Sequence, residues 1–294
     1  MMVITGATGH LGKATINFLL KKGVAPGSIT AFVRDEHKAG ELKASGVVVR
    51  VGDYDNYTSM ENAFRGADKL LLISGSDVMR RGKQQQDAVR AAKEAGVKYI
   101  LYTSFERKDE TEKSPIALVA KAHIDTETNI KTSGIAYTIF RNSIYMDFIP
   151  MFIGEKALET GIYFPAGDGK VAFALRDEMA EAIANVLATG GHEGKEYIIA
   201  GHENVSFQDL AQTLTAIAGK HVPYISPEAG GYTSALTNAG VPAEYVSMFA
   251  AFAEAMKRGE FAIQETDLPQ LLGRQPAVAR QYLERVYSHS PATV

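Results

Sequence analysis

The chain has 294 residues, no cysteine and a formal net charge of −3. The missing cysteines exclude disulfides, thiolate-bound metals and a catalytic thiol, and the weak negative charge argues against a protein that coats nucleic acid. Hydrophobic residues at 46% and charged residues at 22% support one well-packed core carrying a smaller lobe.

The first apolar run, Met2–Thr5, reads as a strand without the basic segment and long apolar stretch of a secretory leader. Gly6-Ala7-Thr8-Gly9-His10-Leu11-Gly12 follows directly. It opens a helix whose apolar stripe is Leu11, Ala14, Phe18 and Leu19 and which stops at Gly23. Further runs at Ile29–Val33, Val47–Val51, Leu70–Ser74, Tyr99–Thr103 and Ala136–Arg141 are too short for helices and rich in strand formers. Helical patterns over Arg80–Ala95 and Ala117–Thr132 separate the later ones. This alternation demands parallel pairing with helices on both faces, and continuously apolar strands fit a sheet buried on both sides. The expected class is α/β, a Rossmann doubly wound parallel sheet over 1–145.

Beyond Asn142 the periodicity lengthens. Helices are expected over Asp147–Thr160, Asp177–Thr189, Phe207–Ala218 and Ala243–Arg258, with loops at Pro165–Lys170 and Pro227–Tyr232. A strand near Lys195–Ala200 returns to the sheet. Residues 146–294 therefore read as a mostly helical substrate lobe, interleaved with the core. No apolar run approaches the length of a membrane span. A reducing, cytoplasmic location is expected, with no membrane or nucleic-acid partner; a monomer and a homodimer both fit a helical cap.

The glycine loop carries the first chemistry. Gly6 permits a tight turn, Gly9 lets the backbone approach a diphosphate, and Gly12 lets helix and strand pack closely. The helix start then offers unpaired N–H groups and a partial positive charge to phosphates. Ala7, Thr8, His10 and Leu11 complete the loop, with His10 expected to shield the diphosphate. At the end of the second strand, about twenty residues on, Arg34 and Lys38 suit the 2′-phosphate of NADPH. Asp35 and Glu36 keep a ribose contact, and so NADH, as the alternative. Asp53, beside Tyr54, is placed to accept from the adenine amino group, and Ser74-Gly75-Ser76 would let a ribose approach.

The sixth strand ends at Arg141-Asn142-Ser143, beside the expected nicotinamide. Asn142 and Ser143 are expected to hold its carboxamide or the acceptor oxygen. Tyr145, Phe148, Met151 and Phe152 form either a wall against a flat ring or ordinary helix core. Ser104 is either a structural hydrogen bond or a hydroxyl near the nicotinamide. His123, with Lys121 one turn before it, is either a proton donor or a satisfied helical side chain. No tyrosine is followed by lysine four residues later. Reducing an isolated carbonyl creates an alkoxide that needs a positioned acid; reducing a quinone creates an anion spread through the ring. A chain without Tyr-x-x-x-Lys therefore suits conjugated acceptors. The histidines are scattered singly, and no metal site is expected.

The Thr5–Gly12 loop, Val33-Arg34, Gly52-Asp53-Tyr54, the run Arg141–Phe148, the group His123, Thr126 and Glu127, and Leu272-Gly273-Arg274-Gln275-Pro276 together resemble the NmrA-like, atypical branch of the short-chain dehydrogenases/reductases. Within it the chain is similar to bacterial quinone and triphenylmethane-dye reductases. The resemblance implies hydride transfer from NAD(P)H to quinones or conjugated cationic dyes; a reductase for another conjugated acceptor, such as an azo compound, is a further reading. It also leaves open an NADP-binding redox sensor that acts through a partner protein without turnover.

Overall fold

The computed structural model describes residues 1–288. Seven parallel strands form the central sheet: β1 (Met2–Ile4), β2 (Ile29–Val33), β3 (Val48–Val51), β4 (Lys69–Ile73), β5 (Tyr99–Phe105), β6 (Ala136–Asn142) and β7 (Lys195–Ile199). Their order is β3-β2-β1-β4-β5-β6-β7. Every residue of β2 is buried, which explains why its sequence is apolar but for Thr30, whereas Val48 and Val51 on the edge strand β3 are exposed. Met2 pairs with both Ile29 and Lys69. The strand order thus reverses between β1 and β4, and the loops leaving those two strands part to open a crevice. Thr5 pins that point: its hydroxyl donates to the Leu71 carbonyl (3.1 Å) and accepts from the Ile73 amide (2.8 Å).

Helices α1 (His10–Lys21) and α5 (Arg176–Ala188) pack together on one face. The opposite face carries α2 (Tyr57–Phe64), α3 (Arg81–Glu94) and α4 (Ala117–Thr132). Ile16, Leu19, Met179 and Ile183 are fully buried on the first face, each contributing about 1.5–3 kcal/mol of burial. A separate core fills the lobe around Phe164, Phe207 and Phe261, with the Phe164 and Phe207 rings stacked at 4.4 Å. Helices α6 (Phe207–Ala218), α7 (Ala229–Asn238), α8 (Ala243–Lys257) and α9 (Ala279–Tyr287) enclose it. Ser206 starts α6 with a reciprocal capping box to Asp209.

Two expectations for the lobe are corrected. The helix expected over Asp147–Thr160 is instead a 3₁₀ turn (Met146–Phe148) and two short helices, Ile149–Ile153 and Ala157–Thr160. Gly154 separates them at φ +86°, a conformation that no helix interior allows. Gly230, Gly231 and Tyr232, expected in a loop, lie in α7, where burial of the Tyr232 ring outweighs the helix cost of two glycines. The residues of this segment that line the site, Tyr145, Phe148, Met151 and Phe152, all lie before the break.

Helix α1 sits so close to the glycine loop that a Cβ on Gly12 would fall 2.3 Å from the Gly6 carbonyl oxygen. Gly12→Ala should therefore cost about 1–3 kcal/mol of stability, read as a lowered urea midpoint; an unchanged midpoint would contradict this packing.

Candidate active site

A groove crosses the ends of β1, β2 and β4. It is lined by Gly6, Thr8, Gly9, His10, Leu11 and Gly12 of the loop, by Arg34 and Lys38 after β2, by Asp53 and Tyr54 after β3, and by Ser74, Gly75 and Ser76 after β4. Gly6 turns at φ +57°, and its carbonyl accepts from the Gly9 amide at 2.9 Å. Gly9 caps α1 without a side-chain hydrogen bond, and the first turn of that helix holds no acidic residue. The N–H groups and the positive helix end thus face the groove uncompensated, which is what an anionic diphosphate requires.

The charges after β2 divide. The Asp35 carboxylate accepts from the His37 amide (2.9 Å) as the cap of a 3₁₀ turn, and Glu36 is paired with Lys43. Arg34 and Lys38 are exposed at the groove and have no ion-pair partner among the described residues. The carboxylates that would favour a ribose hydroxyl are already engaged, while the cations that would favour a phosphate are free.

Tyr54 donates to the Ile73 carbonyl (2.9 Å), tying the β3 loop to the end of β4. Asp53 accepts from the Asp55 amide at 2.8 Å and keeps a place on the groove wall. Ala7 is fully buried and lines no cavity.

At Ser74, Ser76, Tyr145 and Phe148 the groove runs into a second cavity of about 220 Å³. Ser104, His123, Asn142 and Ser143 form its polar end. Asn142 is only 2% exposed, yet neither atom of its amide has a hydrogen-bond partner, and the buried Ser143 hydroxyl has none either. Leaving such atoms unpaired costs about 1–3 kcal/mol apiece. Three orphaned atoms at one strand end fit the carboxamide of a nicotinamide, which can both donate and accept. Tyr145, Phe148, Met151 and Phe152 all line this cavity, and Phe152 belongs to the lobe core as well.

Behind the polar end lies a buried ion cluster. Glu127 accepts two hydrogen bonds from Arg107 (2.9 and 3.0 Å), one from Arg141 (2.9 Å) and one from the Ser104 hydroxyl. Burial works to raise the Glu127 pKa, but these bonds and the two cations hold it below the ordinary carboxylate value. Ser104 therefore faces the cavity while its proton is committed to Glu127. Arg141, expected at the cofactor, instead pairs with Glu127 and Glu196 and lines neither cavity. Lys121, also considered for the site, is exposed and paired with Asp125.

His123 is 3% exposed. Burial, and then the charges of Arg81 and Arg107, push its pKa well below the ordinary value, so the ring is neutral. A chain of hydrogen bonds assigns its proton. Thr126 donates to the Ala122 carbonyl (2.7 Å) and so must accept from the Gln85 amide (2.8 Å). The same Gln85 nitrogen donates to the Tyr102 oxygen (3.1 Å), leaving the Tyr102 proton for His123 Nδ1 (2.8 Å). The imidazole therefore carries its hydrogen on Nε2, as a neutral donor.

Several lining residues escaped the sequence reading. Arg176 lines the groove from the start of α5, its guanidinium 5.3 Å from the Tyr145 ring and 5.2 Å from the Phe148 ring. Arg80, just before α3, and Gln84 within it also line the groove, both bonded to Asp55. Met248, Phe249 and Phe252 of α8 close the aromatic end of the cavity. Their spacing is that of any apolar helix face, so no sequence signal separates them from core.

The pattern of the NmrA-like family matches residues 1–273. The chain belongs to the NmrA-like family. It is 37% identical to quinone oxidoreductase 2 of Escherichia coli (strain K12), over 98% of this chain and 99% of that protein. The structure of the Escherichia coli NADPH-dependent quinone oxidoreductase complexed with NADPH superposes with a TM-score of 0.90 at 36% identity, covering 98% of this chain and 100% of the other. The Citrobacter sp. triphenylmethane reductase complexed with NADP(H) superposes with a TM-score of 0.89 at 37% identity, covering 97% and 99%. A more distant relative, the NAD(P)H azoreductase of Xenophilus azovorans, is 27% identical over 99% of both chains.

Removing Glu127 would leave Arg107 buried without its main counter-charge. Glu127→Ala should cost about 3 kcal/mol of stability in chemical denaturation at neutral pH. Because the folded-state pKa is depressed, the Glu127 contribution is complete above the unfolded value of 4.5 and is lost as pH falls through the lower folded value. The variant's stability should therefore vary less with pH in that acid window than the parent's; parallel curves would show that the cluster is not holding the carboxylate ionised.

Proposed function

We infer that this NmrA-like protein is an NADPH-dependent reductase that transfers hydride directly to a quinone or a similarly planar, conjugated acceptor. The observation that carries this reading is the junction itself: unpaired amide and hydroxyl groups of Asn142 and Ser143 lie where a phosphate-binding groove meets an aromatic-walled cavity. The NADPH dependence of the Escherichia coli quinone oxidoreductase, together with the relatives named for dye and azo reduction, supports the same class of reaction.

Bound NADPH supplies the hydride. The amides of the Gly6–Gly12 loop hold the diphosphate, Arg34 and Lys38 grip the 2′-phosphate, and Asp53 faces the adenine. Asn142 and Ser143 fix the carboxamide, which orients the ring whose hydride is transferred. Tyr145, Phe148, Met151 and Phe152, with Phe249 and Phe252, sandwich a flat acceptor and exclude water, so that rate enhancement comes mainly from positioning. His123 offers its neutral Nε2–H to an acceptor oxygen and lowers the cost of the developing negative charge. A neutral imidazole is too weak an acid to give up that proton, and the quinolate, its charge spread over the ring, takes a proton from water. The cavity thus serves acceptors whose reduced form tolerates a late protonation.

Mixing the protein with NADPH and several quinones should give enzyme-dependent loss of the nicotinamide absorbance, corrected for the direct chemical reaction. NADPH binding with no turnover on any of them would favour the sensor reading. Arg34→Ala should weaken NADPH binding by about tenfold or more, because charge-assisted hydrogen bonds to the 2′-phosphate are worth about 1.5–3 kcal/mol. NADH binding should change little; equal losses for both would remove Arg34 from phosphate recognition. Asn142→Ala should lower kcat by about tenfold with a smaller change in NADPH affinity; unaltered kcat would take Asn142 out of the site.

A further inference from the structure

Arg81 opens α3 and lines the acceptor cavity, and sequence patterning gives no hint of its role. Its side chain is only 7% exposed. Nη1 makes one long contact, 3.4 Å to the Gly75 carbonyl, while Nε and Nη2 have no hydrogen-bond partner. The neighbouring arginines are all balanced. Arg107 pairs with Glu127 and Glu110, Arg141 with Glu127 and Glu196, and Arg176 with Asp147. The acidic side chain closest to Arg81 in sequence, Asp77, is bound to Arg80.

Two physical effects oppose a cation at this position. Burial disfavours the charge, and the positive end of α3 repels it. Arginine nonetheless stays protonated in protein interiors. Among the described residues no acidic side chain lines the cavity, whereas Ser74, Ser76 and His123 add further donors. The cavity lining therefore combines a cation and several donors with an aromatic wall. That combination is complementary to a flat molecule with a negative group on one edge.

We propose that Arg81 sets acceptor specificity: its free guanidinium edge receives a carboxylate or sulfonate carried by the planar acceptor, while the aromatic wall holds the ring. The pairing would be a two-pronged, charge-assisted contact made inside a site that excludes water, where such contacts are strongest. It would also satisfy the unpaired Nε and Nη2 atoms and compensate the buried charge. The inference rests on the reductase reading for the identity of the ring, but the anion site itself is testable without turnover.

The test uses the full chain loaded with NADP⁺ and two non-reducible probes of equal size, 2-naphthoate and neutral 2-naphthamide, titrated by calorimetry. The naphthoate should bind at least about tenfold tighter, and Arg81→Gln should abolish that preference. Equal binding of the two probes to the parent protein overturns the proposal, whether or not the variant folds. In turnover, the ratio of kcat/KM for 1,2-naphthoquinone-4-sulfonate over neutral menadione should fall about tenfold in Arg81→Gln, mostly through KM of the sulfonate. Arg81→Lys should restore part of it. Menadione reduction by the parent with no preference for the sulfonate removes this proposal and leaves the reductase reading intact. Naphthoate binding without turnover of any quinone supports the anion site and overturns the reductase reading.

Discussion

The site depends on the close approach of α1 to the glycine loop. With hydrogen alone on Gly12, the first turn of the helix rests against the Gly6 carbonyl, and its unpaired amides are aimed along the crevice between β1 and β4. The parallel sheet makes the crevice, since only a reversal of strand order parts the loops on its two sides. Thr5, at the end of β1, then locks that strand to β4 through two hydrogen bonds. The groove that starts here reaches Arg34 and Lys38 on one side, and on the other it joins the cavity lined by Asn142 and Ser143.

Charge inside the molecule is distributed to keep the second end rigid. Glu127, on α4, collects Ser104 from β5 and Arg141 from β6, and these two residues are register partners in the sheet. The tips of both strands are thereby fastened to one helix, and Asn142, the residue after Arg141, inherits its position from that anchorage. The same helix carries His123, whose neutrality and hydrogen position are set by Tyr102, Gln85 and Thr126 rather than by solvent. A buried polar network is costly unless every member finds a partner. Asn142, Ser143 and Arg81 line the acceptor cavity and have unpartnered atoms, as do Gln85, Glu106, Arg107 and Arg141 behind it.

Most of the sheet could be read from the amino acids alone. A two-sided buried strand leaves an apolar run of a length no helix would use, and the glycine loop marks where such a run meets a helix. The place of Arg34 on the groove was legible because it lies one residue beyond a strand. The lobe was less legible. Asp147 to Thr160 reads as one helix, but the positive φ of Gly154 breaks it, and a glycine in a periodic stretch does not declare its φ. Short helices such as Tyr57–Phe64 show too few turns to stand out from their surroundings. Arg141 and Arg81 show the deeper limit. Sequence places Arg141 beside the site and says nothing of Arg81; only the fold reveals that a carboxylate from α4 neutralises the first and that, among the described residues, no ion pair reaches the second.

The missing Tyr-x-x-x-Lys pair and the unpaired Arg81 then belong to one argument. A strong acid in the cavity would serve simple ketones by protonating a localised alkoxide as it forms. With no such acid, the cavity must work on molecules that can carry the negative charge themselves until water arrives. A ring that spreads charge is flat and apolar, and it needs the aromatic wall supplied by both the strand tip and α8. Such a ring also lacks a natural handle, and two faces and several edges could meet the nicotinamide. A fixed cation in the cavity lining removes that ambiguity for any acceptor bearing an anion, because the charged edge is drawn to Arg81 while the ring rests against the phenylalanines. Orientation, which other reductases obtain from an acid bonded to the reacting oxygen, is in this arrangement obtained from charge at a distance.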